Sequence, residues 1–151
     1  MKRRAAVLVT LQFVLLAFLV LAPRGGLWPL GPLLVAVAVA LIASGLVLVG
    51  LGLRGLGPAL TVSPIPRQQA PLVTGGVYGF ARHPIYTGLM LAGFGLALLG
   101  ASPWHLIAWL GLVVLLGAKA RWEERMLLAE HPDYAAYAAR VGRFLPGIGR
   151  R

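Results

Sequence analysis

Two short polar stretches in an otherwise apolar chain combine residue types that can do chemistry. The first covers residues 82–86 and reads Arg-His-Pro-Ile-Tyr, and the second is the later pair Glu123 and Glu124. This pair supplies half of the four acidic residues in the chain. A histidine beside carboxylates can move protons, and arginine or carboxylate groups can bind the charged parts of a ligand. The two stretches together therefore form a candidate site.

A proline decides where the first stretch meets a helix. Proline lacks a backbone N–H, restricts the residue before it to extended geometry, and is favoured at the first helical position. We therefore predict that His83 ends a loop and that Pro84 opens a helix. Glu123 and Glu124 stand where another apolar segment runs into a basic one. Both halves of the candidate site should thus lie at the ends of apolar helices.

Other chemistries find little support in the residue types. His83, His105 and His131 do not have the spacing of metal ligands, so we predict no metal site. The chain has no cysteine and no Gly-x-Ser-x-Gly motif, which argues against a thiol nucleophile and a serine hydrolase. On the residues alone, an arginine–glutamate network with a purely structural role remains an alternative to a ligand site.

The composition is typical of a membrane protein. Hydrophobic residues make up 59% of the chain and charged residues 12%, whereas soluble domains have about 45–50% and about 25%. The 14 Lys and Arg residues outnumber the 4 Asp and Glu residues, but they stand at the ends of apolar runs rather than along a polar groove. We therefore expect no nucleic-acid binding. The prediction is a single all-α integral membrane domain over residues 1–151.

Four apolar runs approach or reach the length that crosses a bilayer, which is about 20 residues for a helix. We predict spans at about 5–22, 30–53, 85–101 and 104–121. The last helix should continue beyond the membrane, because nothing breaks it before Pro132. For the first run the alternative is a signal peptide, which has the same basic start.

Two segments outside the spans should be structured. Residues 54–84 form a long loop with several prolines and glycines, but its apolar side chains are too many for a disordered linker. We expect this loop to lie on the membrane face. Residues 122–151 form a C-terminal segment that should contain a short interfacial helix after Pro132, with Tyr134 and Tyr137 on one side.

The basic residues predict the orientation in the membrane. With four spans both termini lie on one side, and that side receives all of the 14 Lys and Arg residues except Arg24. Such an imbalance is the positive-inside signal, which places both termini and the candidate site in the cytoplasm. The excess of arginine over lysine and the absence of appended domains favour a bacterial inner membrane.

Five motifs occur in an order that resembles a known family. They are LVTGGVY at 72–78, RHPIYTG at 82–88, EERML at 123–127, Tyr134-x-x-Tyr137 and RFLP at 143–146. This ordered set is similar to the integral membrane methyltransferases, a family that includes the isoprenylcysteine carboxyl methyltransferases and the phospholipid N-methyltransferases. The resemblance covers about residues 70–146, and the first two spans carry no motif of the family.

The resemblance implies an S-adenosylmethionine-dependent enzyme that acts on a lipophilic acceptor. The cofactor would lie in a pocket closed by the C-terminal segment, with residues 54–84 as the cofactor-site loop, and the acceptor would enter from the bilayer. The implied cofactor-binding residues are those of the loop from Ala70 together with Leu72, Val73, Tyr78, Arg82, His83, Pro84, Tyr86, Glu123 and Glu124. The implied catalytic residues are His83, Tyr86 and Glu124. Lys119 and Arg121 are the implied substrate-binding residues, and Lys119 stands where carboxyl methyltransferases have an arginine.

The acceptor remains open between two chemistries. We expect O-methylation of an isoprenylcysteine-type carboxylate, which is already ionised at neutral pH and needs no base. The alternative is N-methylation of a phosphatidylethanolamine-type amine, which must first lose a proton to a base such as His83 or a glutamate. A non-catalytic membrane subunit that keeps the fold is a further alternative. A nicotinamide-dependent membrane reductase is disfavoured, because the chain has no GxGxxG fingerprint.

Overall fold

The computed structural model of the chain describes residues 2–57 and 71–150. The helices are α1 (Lys2–Leu21), α2 (Pro32–Leu56), α3 (Pro84–Gly100), α4 (Pro103–Glu130) and α5 (Tyr134–Arg140), and a 3-10 turn covers Gly76–Gly79. Within the described residues the extended pairing consists of two isolated β-bridges. The prediction of an all-α membrane protein is confirmed. Part of the predicted loop, including Ala70, lies outside the described residues.

Helices α1 to α4 overlap the four apolar runs of the sequence, and α3 is the shortest of these four. In the described part of the chain, α1, α2 and α4 are long and apolar enough to cross a membrane. The apolar helix α3 has 17 residues, which corresponds to about 26 Å against a hydrocarbon core of about 30 Å. This helix packs against both α2 and α4.

Local sequence sets the helix boundaries. Pro32, Pro84 and Pro103 each occupy the first turn of their helix, where a missing N–H costs nothing. Ser102 caps α4 by accepting a hydrogen bond from the backbone N–H of Trp104 at 3.2 Å. As predicted, α4 continues far beyond the apolar run and ends at Glu130, just before the His-Pro sequence.

Small residues bring α2 and α3 into close contact. A methyl group added at Gly45 of α2 would lie 2.5 Å from the carbonyl oxygen of Gly88 and 2.7 Å from the backbone nitrogen of Ala92. A methyl group at Gly95 would likewise meet the carbonyl oxygen of Ala38 at 2.5 Å. The face of α3 that carries Gly88 and Gly95 therefore packs on α2, because small residues let the two backbones approach closely.

Replacing Gly45 by leucine is expected to destabilise the protein by about 3 kcal/mol, the upper end of the usual overpacking cost, because backbone atoms of α3 occupy the space. Gly50 lies on the same helix with nothing within 4 Å of an added methyl group, so Gly50→Leu is the matched control. Thermal unfolding in detergent measures the difference. Equal unfolding temperatures for the two variants would contradict the close contact.

The helices alternate in direction, which gathers the polar stretches at one end. At the opposite end, the connection between α1 and α2 lies against the turn between α3 and α4. There the backbone N–H of Gly25 donates to Gly100, and the indole N–H of Trp28 donates to the carbonyl oxygen of Leu98, at 2.8 and 2.9 Å. Arg24 thus lies at the end of the bundle away from Arg82.

Candidate functional site

Arg82 is the centre of a buried network at the start of α3. Its Nε and Nη2 both donate to Oε1 of Glu124, at 3.1 and 2.9 Å. Nη1 donates to the carbonyl oxygens of Ala138 and Val141, and Nη2 also donates to that of Gly149. An arginine has five N–H groups, and all of them are used. Arg82 therefore fastens α4, α5 and the C-terminal segment to the loop before α3.

Glu124 is fully buried between two arginines. Besides its contact with Arg82, it accepts hydrogen bonds from Nε of Arg143 at 2.9 Å and from Nη2 of Arg143 at 2.7 Å, so both carboxylate oxygens are engaged. These hydrogen bonds raise the pKa of Arg143 above its ordinary value, although burial opposes the shift. The pair of arginines keeps Glu124 ionised away from water.

The C-terminal segment pairs with the loop that leads into α3. The backbone N–H of Arg82 donates to Gly142 at 2.9 Å, and that of His83 donates to Arg143 at 3.0 Å. The hydroxyl of Thr87 donates to the carbonyl oxygen of Phe144 at 2.8 Å. These contacts lay residues 142–144 directly along the His83 junction.

His83 lies between the two glutamates and is nearly buried. Its Nδ1 is 3.5 Å from Oε2 of Glu123, and its Nε2 is 3.4 Å from Oε1 of Glu124. The His83 ring stacks on Tyr86 with centroids 5.3 Å apart and an interplanar angle of 4°, and the ring of Phe144 is tilted over it at 6.0 Å. Nε2 has no well-aligned hydrogen bond within the described residues. This nitrogen faces the buried carboxylate of Glu124, whereas Nδ1 is the nitrogen beside Glu123.

Glu123 differs from its neighbour Glu124 in both exposure and partners. Its side chain is 18% exposed, whereas that of Glu124 is not exposed at all. Glu123 interacts with His83 and with the side chain of Tyr86. In the described part of the chain it has no arginine or lysine within 4.0 Å. Of the two carboxylates, Glu123 is the one with capacity for a cationic ligand group.

Tyr78 connects the 3-10 turn to α2 and α5. Its hydroxyl donates to the carbonyl oxygen of Gly52 at 3.2 Å, and its own carbonyl oxygen accepts from the hydroxyl of Tyr137 at 2.6 Å. Burial raises the pKa of the Tyr78 hydroxyl, with a smaller contribution from the charge of Glu123. Burial likewise raises the pKa of Tyr137 to about 12. Both hydroxyls are therefore neutral donors.

Lys119 extends the site toward the membrane. Its side chain is almost fully buried, and Nζ donates to Oε1 of Gln12 on α1 at 2.6 Å. Nζ also lies 5.1 Å from the centroid of the Tyr86 ring, within the range of a cation–π interaction. The second implied substrate-binding residue, Arg121, is exposed on α4, so the structure does not bring it to the other site residues.

The structure places most of the implied site residues in one cluster. These residues are Tyr78, Arg82, His83, Pro84, Tyr86, Lys119, Glu123 and Glu124. Leu72 packs instead against the buried cluster of α5, and Val73 beside it is half-buried.

Sequence reasoning missed three participants: Arg143, Phe144 and Gln12. Arg143 and Phe144 belong to a motif quoted for the family resemblance, which was their only signal. Gln12 was visible only as an amide inside an apolar run.

Comparison with known proteins assigns the chain to a family. A family model described as phospholipid methyltransferase matches residues 33–133, which takes in α2, α3 and α4 but not α1. An uncharacterized protein of Schizosaccharomyces pombe is 34% identical over 79 residues, which are 48% of this chain and 23% of that protein. The cobalt-zinc-cadmium resistance protein CzcN of Cupriavidus metallidurans is 32% identical over 83 residues, 54% of this chain and 38% of that protein. The chain thus matches well under half the length of either relative.

Proposed function

Because the chain belongs to the phospholipid methyltransferase family, we propose that it is an S-adenosylmethionine-dependent membrane methyltransferase that acts on a lipophilic acceptor. The observation that carries this proposal is the division of roles between two neighbouring carboxylates. Glu124 is held by Arg82 and Arg143, whereas Glu123 is partly exposed beside His83 and Tyr86. A purely structural network would need only Glu124, whereas a site for a cationic ligand needs a carboxylate such as Glu123.

The residues around Glu123 fit the chemical groups of the cofactor. S-adenosylmethionine carries a sulfonium and an ammonium group, which a carboxylate such as Glu123 would balance. The stacked rings of His83 and Tyr86, with Phe144 beside them, offer an aromatic surface for the adenine. We assign Arg82 to holding Glu124 rather than the ligand, because its five N–H groups already have acceptors.

The protein would contribute alignment and exclusion of water. When bound, S-adenosylmethionine supplies an electrophilic methyl group. The stacked rings of His83 and Tyr86 line one side of the site at the start of α3. The segment from Gly142 to Phe144 lies beside them. Holding the acceptor in line and keeping water out of such a site are effects that accelerate a displacement reaction. We therefore propose His83 and Tyr86 as the residues closest to the reacting groups, with Glu124 as their support.

We propose that the acceptor is a carboxylate of the isoprenylcysteine type. The buried ammonium of Lys119 lies at the membrane side of the site, and in the described part of the chain it has no carboxylate within 4.0 Å. A cation in this state favours an anionic acceptor group. The alternative acceptor, a phosphatidylethanolamine-type amine, is supported by His83, whose ring lies next to Glu123 and is suited to take a proton.

Transfer from methyl-tritiated S-adenosylmethionine distinguishes these possibilities. The purified protein would be given either a farnesylated cysteine acid or dioleoylphosphatidylethanolamine in detergent. We expect label in the first acceptor as a methyl ester, which mild base releases as methanol. Base-stable label in the phospholipid would identify an N-methyltransferase instead. If a protein that binds the cofactor labels neither acceptor, and no membrane lipid extract either, it is a non-catalytic subunit.

We also propose that the end of the bundle with Glu123 faces the cytoplasm of a bacterial inner membrane. The alternating helices put the start of α1 and the C-terminal segment at that end, whereas Arg24 lies at the other. Exposed cations such as Arg3, Arg54 and Arg125 stand at the same end as the site. This distribution supports the positive-inside orientation, with both termini cytoplasmic.

A further inference from the structure

The helix α1 contributes a polar side chain to the site, although it lies outside residues 33–133 that match the family model. Gln12 is buried, with 7% of its surface exposed, and its Oε1 accepts a hydrogen bond from Nζ of Lys119 at 2.6 Å. The other polar residue of the apolar run, Thr10, is exposed. An amide inside a membrane helix is costly unless it has a partner. The partner that Gln12 has is a residue of the site.

Glu123 is placed in the sequence to form an ion pair with Lys119, but the two charged groups are not in contact. Glu123 follows it by four residues on α4, and side chains with this spacing are neighbours on a helix and commonly form ion pairs. No such pair is formed, because no carboxylate lies within 4.0 Å of Nζ in the described residues. All four acidic residues of the chain belong to that described part. Nζ of Lys119 instead donates to Gln12 and lies over the ring of Tyr86, whose side chain is hydrogen-bonded to Glu123.

We propose that Gln12 is a positioning residue that prevents an ion pair between Lys119 and Glu123. An internal ion pair would neutralise both charges that the site offers to its ligands. With Gln12 in place, Glu123 stays available to the cationic end of the cofactor, and the Lys119 ammonium stays available to an anionic group of the acceptor. This inference rests on the proposed function and extends the site to α1. The acceptor class that it implies is an acidic amphiphile.

Lysine labelling tests the positioning without any enzymatic turnover. The chain contains only two lysines, Lys2 and Lys119, so protein labelled with ¹³Cε-lysine gives two side-chain NMR signals in detergent. In the wild-type protein, we expect Glu123→Gln to shift the Lys119 signal only slightly, because the two charges interact at a distance without a direct contact. In a Gln12→Leu background, Lys119 should be paired with Glu123. Glu123→Gln then breaks this ion pair and should shift the Lys119 signal clearly. The signal of Lys2 serves as the internal reference.

Two substitutions at Gln12 separate the effects on acceptor and cofactor. Gln12→Leu should raise the KM for a farnesylated cysteine acid and the Kd for S-adenosylmethionine, each by about tenfold, because both site charges are lost to the ion pair. Gln12→Glu places a carboxylate on α1 beside Lys119 and away from Glu123. It should raise the acceptor KM similarly but leave the cofactor Kd within about twofold. Thr10→Val, at an exposed position of the same helix, is the matched control.

The outcomes distinguish this inference from the proposed function. A Lys119 signal that responds to Glu123→Gln equally with and without Gln12 overturns the positioning role, whatever the activity. The positioning role is also overturned if Gln12→Leu changes only the unfolding temperature. If the wild-type protein shows no cofactor binding but the lysine signals behave as expected, the proposed function fails and the positioning of Lys119 stands. If Gln12→Leu does not fold, Gln12→Glu is the deciding variant. An acceptor KM that is unchanged in Gln12→Glu would overturn the inference.

Discussion

Glu124→Gln is expected to destabilise the protein by about 3 to 5 kcal/mol, the usual cost of removing one partner from a buried ion pair. The carboxylate neutralises the buried guanidinium of Arg82 and also binds Arg143, whose side chain is only 15% exposed. A glutamine in its place keeps the shape but loses the charge, so two cations face each other across a buried position. Thermal unfolding in detergent, followed by circular dichroism, measures the loss.

Glu123→Gln is the matched control for this destabilisation. The two residues are adjacent on α4, but Glu123 has no arginine or lysine within 4.0 Å in the described part of the chain. Its replacement should therefore change the stability by less than about 1 kcal/mol. Equal losses of stability for the two variants would mean that Arg82 does not depend on Glu124.

The second large effect concerns ligand binding rather than stability. Glu123→Gln should weaken the binding of S-adenosylmethionine by about 10- to 150-fold, which corresponds to the 1.5–3 kcal/mol of a hydrogen bond to a charged group. The reason is that Glu123 is the partly exposed carboxylate beside the stacked rings of His83 and Tyr86. Equilibrium dialysis with radiolabelled cofactor gives the dissociation constant.

Glu130→Gln controls for a general change of charge on α4, because Glu130 is exposed near the end of the same helix. It should leave the dissociation constant within about twofold of the wild-type value, since exposed charges are well screened. If Glu123→Gln binds the cofactor as tightly as Glu130→Gln does, Glu123 is not a binding residue.

Local patterns in the sequence predicted much of the fold. Pro84 predicted the start of α3, and the uninterrupted segment before Pro132 predicted that α4 would leave the membrane as a helix. Each of these signals depends on residues within a few turns of one another, which is the range over which helical periodicity is informative.

The division of roles inside the site could not be predicted in this way. Glu123 and Glu124 are equivalent in the sequence, and only the fold shows that one faces Arg82 and Arg143 while the other faces His83 and Tyr86. The directions of adjacent residues on a helix differ by about 100°. A one-residue step therefore separates a buried support from a candidate ligand-binding group.

Contacts between distant parts of the chain could not be predicted from the sequence either. The pairing of residues 81–83 with residues 142–143 joins segments that no periodicity connects. Gln12 and Lys119 are likewise on helices at opposite ends of the sequence. Such contacts depend on how the helices pack, and for α1 the sequence contained only the isolated amide as a signal.

Isothermal titration of the wild-type protein with S-adenosylmethionine and S-adenosylhomocysteine tests the proposed cofactor site most directly. We predict saturable binding of both compounds at one site per chain, because the aromatic and polar surfaces around His83 and Tyr86 bind features that the two share. Glu123→Gln should then weaken the binding of S-adenosylmethionine more, since that compound alone carries the sulfonium charge. A protein that is folded by circular dichroism and binds neither compound would contradict the proposed function.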